Sequence, residues 1–362
     1  MGQRTVRVRL ADAQGPVVLG MRVRDRNERV ISRSAARGVE AVRRDEDGPT
    51  LFVPDQIMLQ PSLFDALSAR EPPLQLRAPD GAELSWGRVA GATPAPALEL
   101  NLDHFFDVSD ARGRRRAERI LLLQTEKASD GWVSRRFNRP LSRFFSRWFL
   151  KAGLSANAAS AVSLAIGLGC GIAAAQPGGV WLAVTGVLFQ LASMFDGVDG
   201  EMARVTLRDS KAGAAIDSFV DNLTYVATLV GFGIGWAREG ISKAEGWSLV
   251  IVTALIVMTL LQVFRFVRRH APNASFVFFD RSLQRATQET QSSSLRAVNL
   301  FFRATRRDML ALVLMGLSFL GSRFAVFSAL ALGVLVANYL LLFHRGDLVR
   351  AAGSLRAEAA QT

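Results

Sequence analysis

The pattern of apolar and polar positions divides the chain into a polar first part and an apolar second part. Residues 1 to about 150 are rich in Arg, Asp and Glu. The second part contains six apolar segments, at 156–176, 180–195, 214–237, 247–264, 309–321 and 324–343. Several of them approach the length of about 20 residues that a helix needs to cross a bilayer. We therefore predict a mainly α-helical membrane protein with six transmembrane helices over 153–345, of which the second runs into a charged motif and the fifth is short.

The first 108 residues have the pattern of a small α/β domain. Alternation over Thr5–Leu10 predicts a strand, and Leu51–Val53 predicts a short buried strand. Between them, Asp25–Gly38 has helical character and ends at a glycine that suits a C-cap. The sequence shows no Gly-rich phosphate loop and no cluster of metal ligands here. The interpretation is a structural or regulatory domain.

Residues 109–152 form a linker and a juxtamembrane helix. The basic segment Arg114–Leu123 predicts a helix. Farther on, Phe137, Leu141 and Phe149 recur at helical spacing, with arginines on the other face. This arrangement is typical of an amphipathic helix that lies on the membrane surface.

The positive charge of the chain changes this picture little. The formal net charge is +12 and the isoelectric point is about 11.1, which raises nucleic acid as a possible partner. The arginine clusters mostly border apolar segments, however, as expected for cytoplasmic ends of membrane helices. We predict a multi-pass protein of the cell (inner) membrane that binds membrane lipid and no nucleic acid. The α/β domain, which no signal-peptide pattern precedes, and the 346–362 tail are both predicted to be cytosolic.

Four aspartates carry the candidate chemistry. Asp196 and Asp199 are three residues apart, and Asp217 and Asp221 are four apart, so each pair shares one helix face. A short connection makes the two helices antiparallel, which lets the pairs converge. Ionisable groups at membrane depth are costly and mark function. Converging carboxylates repel one another, and hard divalent cations such as Mg²⁺ offset that repulsion. Two such ions suit phosphoryl chemistry.

Small residues accompany the aspartates. Gly200 and Ala203 follow Asp196 by one and two helical turns, and Gly213 precedes Asp217 by one turn. Without large side chains there, a nucleotide could lie against the backbone of both helices. Arg204 supplies a positive charge for a phosphate or a nearby carboxylate. The sequence has one cysteine, Cys170, so it has no disulfide framework and no cysteine metal site.

The eight positions match D-x2-D-G-x2-A-R-x8-G-x3-D-x3-D, the signature of the CDP-alcohol phosphotransferase family, which the chain resembles over roughly 130–345. The resemblance implies six membrane helices preceded by a surface helix, and a homodimer. It implies two divalent metal ions, Mg²⁺ or Mn²⁺, with Asp221 also the general base. The implied metal ligands are Asp196, Asp199, Asp217 and Asp221. The residues implied to surround the CDP group are Gly200, Ala203, Arg204 and Gly213.

Two other segments bear on the resemblance. The family often has Thr-Pro-Asn-x-x-Thr at the start of its first span, where this chain has Ser155-Ala156-Asn157 and then Ser160, so Asn157 is a further nucleotide-site candidate. The run from Asp130 to Ser142 resembles members that make inositol-phosphate products. Some of these carry a cytosolic nucleotidyltransferase domain that makes CDP-inositol, and residues 1–108 are similar to a shrunken form of it without the nucleotide loop.

The resemblance implies transfer of a substituted phosphoryl group from a CDP-alcohol to an acceptor hydroxyl, with release of CMP. The expected donor is CDP-diacylglycerol or CDP-inositol, and the expected acceptor is a polyol or inositol phosphate. Arg268 and Arg307, at cytoplasmic span ends, are candidates to contact an acceptor phosphate. Two alternatives stay open: the same reaction with glycerol phosphate, serine or a lipid alcohol, or a divalent-cation transporter that uses the aspartates as its pathway.

Overall fold

A computed structural model of the chain describes residues 5–13, 15–42, 49–68, 70–87, 95–126, 130–270, 282–286 and 307–361. The chain divides into two compact units. The first comprises Met1–Glu126, which we call the N-terminal module, together with Arg143–Ala159 and Val198–Ala214. The second comprises Lys127–Ser142, Ser160–Gly197 and Ala215–Thr362.

The described residues of the N-terminal module form ten strands. They are β1 (Val6–Leu10), β2 (Val17–Val18), β3 (Met21–Arg22), β4 (Val39–Ala41), β5 (Thr50–Val53), β6 (Ile57–Leu59), β7 (Leu74–Arg77), β8 (Glu83–Trp86), β9 (Ala97–Glu99) and β10 (Phe105–Asp107). Six of them form one sheet in the order β4-β1-β5-β8-β7-β9. Strand β1 is parallel to both its neighbours, while β8 is antiparallel to β5 and β7. The strands predicted at Thr5–Leu10 and Leu51–Val53 are confirmed as β1 and β5.

In the part of the module that the structure describes, three α-helices accompany the strands: α1 (Val23–Ser34), α2 (Ser62–Ser68) and α3 (Ala111–Leu123). A 3-10 turn, Ala35–Arg37, extends α1 and ends at Gly38, whose φ of 78° is the left-handed conformation expected of a C-cap glycine. Helix α1 buries Val30 and Ile31 in the same apolar core as Leu51 and Trp86. The expected helices at Asp25–Gly38 and Arg114–Leu123 are thus confirmed, and each begins two or three residues earlier than predicted.

The described residues after the module are mostly helical. A π-helical turn, Ser134–Asn138, leads into α4 (Arg139–Lys151). It is followed by α5 (Ala156–Ala174), α6 (Gly179–Val205), α7 (Lys211–Arg238), α8 (Lys243–His270), α9 (Arg307–Ser318), α10 (Arg323–Phe343) and α11 (Arg345–Gln361). Each of the six predicted apolar segments lies on one of the helices α5 to α10. Helix α6 extends beyond its apolar segment, through the charged motif, to Val205.

Among the described residues, three helices are long and apolar enough to cross a membrane by length and composition: Ala156–Ala174, Gly179–Val205 and Lys243–His270. Shorter apolar stretches occupy Asp308–Ser318 and Arg323–Gly333. Apolar side chains on these helices are exposed, for example Ile172 at 67 %, Val180 at 78 % and Val250 at 57 %. Exposed apolar surface of this kind requires lipid or a partner. The chain is therefore a membrane protein.

Small residues join α5 to α7. A Cβ placed on Gly231 would overlap the carbonyl oxygen of Gly171, and one on Gly235 would overlap that of Ala174. A Cβ on Gly171 would lie 2.8 Å from the carbonyl oxygen of Ala227. Small residues four apart let helix backbones approach closely inside a membrane. This seam fixes α7 against α5.

Candidate active site

Helices α6 and α7 run antiparallel beside each other. Their ring contact between Phe189 and Tyr225, with centroids 5.8 Å apart, joins a residue before Asp196 on α6 to one after Asp221 on α7. The connection between them, 206–210, has five residues, a length that suits an antiparallel pair of neighbouring helices. The charged end of α6 therefore lies beside the first turns of α7.

This packing brings three of the four predicted metal ligands together. One carboxylate oxygen each of Asp196, Asp217 and Asp221 lies within 4.8 Å of the other two. All three side chains are half-buried. Asp217 and Asp221 share a face of α7 because they are four residues apart, and Asp196 approaches that face from α6. We call these three residues the acid cluster.

The donor set fits a hard divalent cation. Mg²⁺ takes oxygen ligands at about 2.1 Å, which puts opposite ligands about 4 Å apart, close to the spacing of the acid cluster. Each of these side chains offers a carboxylate, and the oxygens come from two helices that other contacts hold in place. The acid cluster can therefore hold a divalent cation with little movement.

The remaining signature residues lie in the first unit. Asp199 follows Asp196 by one turn of α6 and is buried, with its Oδ1 accepting from the Gly200 amide at 2.5 Å. Ala203 and Arg204 are half-buried near the end of α6. Gly213 lies in the first turn of α7, where its amide donates to Ser210 Oγ at 3.0 Å.

A buried ion pair anchors the 130–142 segment beside Asp196. Arg139 Nε donates to Asp130 Oδ2 at 2.8 Å and Nη2 to Oδ1 at 3.0 Å, and the two side chains are only 6 % and 10 % exposed. A Cβ on Gly197, the neighbour of Asp196, would lie 3.3 Å from Arg139 Nη1. The absence of a side chain at Gly197 thus lets the guanidinium pack against α6.

The same segment is also tied to α9. The Ser134 amide donates to Asp308 Oδ2 at 2.8 Å, which satisfies a free N–H at the start of the π-helical turn. A Cβ on Gly131 would lie 2.9 Å from that oxygen, so any larger residue there would make the Asp308 side chain shift. The sequence pointed to this segment, but nothing in its local pattern linked it to Asp308.

The other predicted residues are placed as follows. Asn157 is exposed in the first turn of α5, within the first unit. Arg268 is exposed in the last turn of α8. Arg307 is the first residue of α9, and its side chain lies outside the described part of the chain. Among the described residues, the structure shows no hydrogen bond or ion pair between Arg268 and the acid cluster.

Sequence reasoning missed Glu201, which lies between Gly200 and Ala203. Its side chain is completely buried, at 0 % exposure, and its Oε2 accepts from Ser146 Oγ of α4 at 2.7 Å. Ser146 and Phe149 lie on the buried side of α4, opposite the exposed Phe144 and Trp148. That spacing was the available signal, because a serine among the buried positions of an amphipathic helix needs a polar partner.

Comparison with known proteins agrees with this geometry. Residues 154–288, which contain the acid cluster, match the model of the family described as CDP-alcohol phosphatidyltransferase. This region of the chain is thus similar to a CDP-alcohol phosphotransferase domain. This domain includes all eight signature positions, and the α/β module precedes it.

Similar curated proteins carry the name "Bifunctional IPC transferase and DIPP synthase". The one from Thermococcus kodakarensis is 33 % identical over 151 residues, which is 41 % of this chain and 33 % of the relative. The one from Archaeoglobus fulgidus is 29 % identical over 143 residues, covering 39 % and 28 %. The one from Aquifex aeolicus is 28 % identical over 148 residues, covering 41 % and 33 %. The matches thus span about a third of the length of these relatives.

Proposed function

We propose that this chain transfers a substituted phosphoryl group from a CDP-alcohol to an acceptor hydroxyl and releases CMP. The observation that carries the proposal is the acid cluster, which lies inside the phosphotransferase domain on two antiparallel helices. The membrane helices and the family match both fit a transferase that acts at a membrane.

The acid cluster gives each aspartate a role in this proposal. Asp196 and Asp217 hold divalent cation, Asp199 completes the ligand set one turn farther along α6, and Asp221 is both a ligand and the general base. When bound, two Mg²⁺ or Mn²⁺ ions would stabilise negative charge on the diphosphate. Asp221 accepts the proton of the acceptor hydroxyl. The hydroxyl oxygen then bonds to the phosphorus that bears the donor's alcohol, while the bond from that phosphorus to the CMP oxygen breaks.

The proposed nucleotide contacts lie on the segment 198–214. Gly200, Ala203 and Gly213 expose backbone at the end of α6 and the start of α7, and Arg204 adds a positive charge for a phosphate. Asn157, at the start of α5, is a further candidate to contact the nucleotide. The small side chains support this assignment because a nucleotide needs room to approach the backbone.

We propose an inositol phosphate or a related polyol as the acceptor, and CDP-inositol or CDP-diacylglycerol as the donor. The names of the similar proteins support this choice. The buried Asp130–Arg139 pair supports it as well, since it fixes the 130–142 segment beside Asp196. Arg268 and Arg307 are proposed to contact the acceptor phosphate.

The membrane arrangement is part of the proposal. Six spans, α5 to α10, place the N-terminal module and the tail on the cytosolic side, and α4 lies on the membrane surface with Phe144 and Trp148 in the lipid. The exposure of those two side chains, 64 % and 59 %, supports this position of α4. We also propose that the chain forms a homodimer.

Release of CMP by the purified chain tests the proposal directly. CDP-inositol and CDP-diacylglycerol are supplied separately with Mg²⁺ or Mn²⁺, each with inositol phosphate or an unphosphorylated polyol. We expect turnover with one donor and a loss of about 10²-fold to 10⁴-fold in Asp221→Asn, the usual contribution of a general base. Asp65→Asn, the same change at an exposed aspartate of the N-terminal module, is the control.

The same assay separates the enzyme from a divalent-cation transporter. A transporter would move Mn²⁺ into proteoliposomes and release no CMP from any CDP-alcohol. No CMP with every donor and acceptor, together with Mn²⁺ uptake that Asp221→Asn abolishes, would refute the proposed function.

A further inference from the structure

Three arginines on one face of α1 reach the end of α6. Arg26, Arg29 and Arg33 are separated by three and four residues, so they form a single stripe along the helix. Arg26 Nε donates to the carbonyl oxygen of Val205 at 3.4 Å, and Arg29 Nη1 donates to that of Thr206 at 2.9 Å. Arg33 Nη2 pairs with Asp209 Oδ1 at 2.5 Å. We call these three residues the arginine stripe.

The arginine stripe provides hydrogen-bond donors and positive charge at the C-terminal end of α6. The last carbonyl groups of a helix have no amide partner within it, and they carry partial negative charge. Val205 is the final residue of α6, so Arg26 and Arg29 supply both hydrogen bonds and positive charge where both are needed. Arg26 is 2 % exposed, and burial lowers the pKa of its guanidinium to about 10, which leaves it charged at neutral pH.

Arg26 is fixed from its own side as well. Its Nη1 donates to the carbonyl oxygen of Leu59 at 2.6 Å and its Nη2 to Gln60 Oε1 at 3.1 Å. The planar guanidinium therefore connects β6 and the residue after it to the end of α6. A lysine has all three of its donors on one nitrogen, so it lacks this planar spread of donor atoms.

Leu207 provides a second, independent attachment. The amide of Arg208 donates to the carbonyl of Ala203 at 2.8 Å, and that of Leu207 to Arg204 at 3.2 Å, which is a Schellman motif. Leu207 occupies its left-handed position with φ 53°, where glycine is the usual residue. Its side chain packs against the apolar core of the N-terminal module. This contact explains why a leucine occupies a position where its backbone is strained.

We propose that the N-terminal module positions the donor-binding segment, residues 198–214, and that the arginine stripe and Leu207 are the positioning residues. We call the arginine stripe and Leu207 together the clamp, because they hold the connection 206–210. Ala203 and Arg204 belong to the same Schellman motif as Leu207, and Gly213 lies just beyond this connection. The module thereby holds the residues proposed to surround CDP. This inference rests on the proposed function and assigns the module a role in it.

Amide hydrogen exchange of the purified full chain tests the clamp without relying on catalysis. Arg29→Ala removes one charge-assisted hydrogen bond from a half-buried residue, and we expect about tenfold faster exchange over 206–210. Leu207→Gly keeps a residue suited to the left-handed position but removes the apolar side chain that packs against the module. We expect faster amide exchange over 206–210 in this variant as well. Arg37→Ala, whose guanidinium pairs with Asp65 on the module itself, is the matched control and should leave exchange unchanged.

Donor kinetics then distinguish positioning from a purely structural role. In Arg29→Ala and Leu207→Gly we expect the KM for the CDP-alcohol to rise about tenfold with kcat changed less than about threefold. Arg29→Lys retains a donor for the Thr206 carbonyl and should recover most of the loss. Arg29→Ala and Leu207→Gly weaken the same clamp. The double variant should therefore raise KM by less than the product of the two single fold-increases.

Two results would overturn the inference. One is unchanged exchange over 206–210 in both Arg29→Ala and Leu207→Gly. The other is faster exchange with an unchanged KM, because the clamp would then hold the segment without affecting the donor. A chain that is inactive with every donor would contradict the proposed function instead, while the exchange measurement would still report on the clamp.

Discussion

The acid cluster places like charges close together. The effect of a divalent cation on the stability of the chain therefore tests whether these aspartates bind metal. Two unit charges 4.8 Å apart repel by about 3 kcal/mol at an effective dielectric constant of about 20. Replacing Asp217 by Asn removes two of the three pairwise repulsions and one ligand. The sign of its effect on stability must therefore depend on whether divalent cation is present.

We predict that Mn²⁺ raises the unfolding temperature of the wild type and that EDTA reverses the rise, because a ligand that binds only the folded state stabilises it. In Asp217→Asn the rise should be mostly lost, while its unfolding temperature in EDTA should equal or exceed that of the wild type. Thermal unfolding in detergent measures both, with Asp65→Asn as the control. An equal Mn²⁺ shift in wild type and Asp217→Asn would exclude Asp217 as a ligand.

The buried carboxylate of Glu201 makes a second prediction for a single residue. Ser146→Ala removes a hydroxyl that donates to this carboxylate, and leaving a buried charged acceptor with fewer hydrogen bonds costs about 2 kcal/mol. We expect a lower free energy of unfolding in a reversible denaturation assay. Ser248→Ala, which removes a hydroxyl bonded to its own helix at Ala244, is the control and should change little. Equal effects would mean that the Ser146 contact contributes no more than a local bond.

At the scale of elements, the predictions depended on whether a contact is local in sequence. The spacing of Asp196, Asp217 and Asp221 predicted their convergence, because two helices and a short connection leave little freedom. The length of the apolar segments likewise predicted α5 to α10. The arginine stripe was not predicted: its partners lie 177 and 179 residues away, and three basic residues on one helix face look the same whether they meet solvent or a helix end.

The seam between α5 and α7 could have been predicted, since Gly167 and Gly171, and Gly231 and Gly235, are each four residues apart. We predict that Gly231→Ala forces the two helices apart, because its Cβ would overlap the Gly171 carbonyl oxygen. The expected result is a clear fall in unfolding temperature and weaker Mn²⁺ stabilisation, as α7 carries two of the three clustered aspartates. Gly169→Ala is the control, because its Cβ would meet nothing within 4 Å. Equal unfolding temperatures for the two variants would contradict the seam.

At the scale of the whole molecule, the chain combines a polar α/β module with helices that expose apolar side chains. The first unit contains the module and also the end of α6, so the division into units does not follow the division into polar and apolar sequence. The domain boundaries at 108, 152 and 345 stay predictions from composition. The composition of a segment indicates whether it favours water or lipid, whereas the division into compact units depends on which segments contact one another.

The six-span arrangement makes the final prediction, which cysteine labelling can test. The sequence has one cysteine, Cys170, and it is fully buried, so it provides a low background. With both ends cytosolic, Lys243→Cys, at the start of α8, should react with an impermeant maleimide on intact cells. Arg70→Cys in the module and Gly353→Cys in the tail should react only after the membrane is opened, because an even number of spans keeps both on the same side. Opposite accessibility of Arg70→Cys and Gly353→Cys would require an odd number of spans, and a protected Lys243→Cys would place the α7–α8 connection in the cytosol.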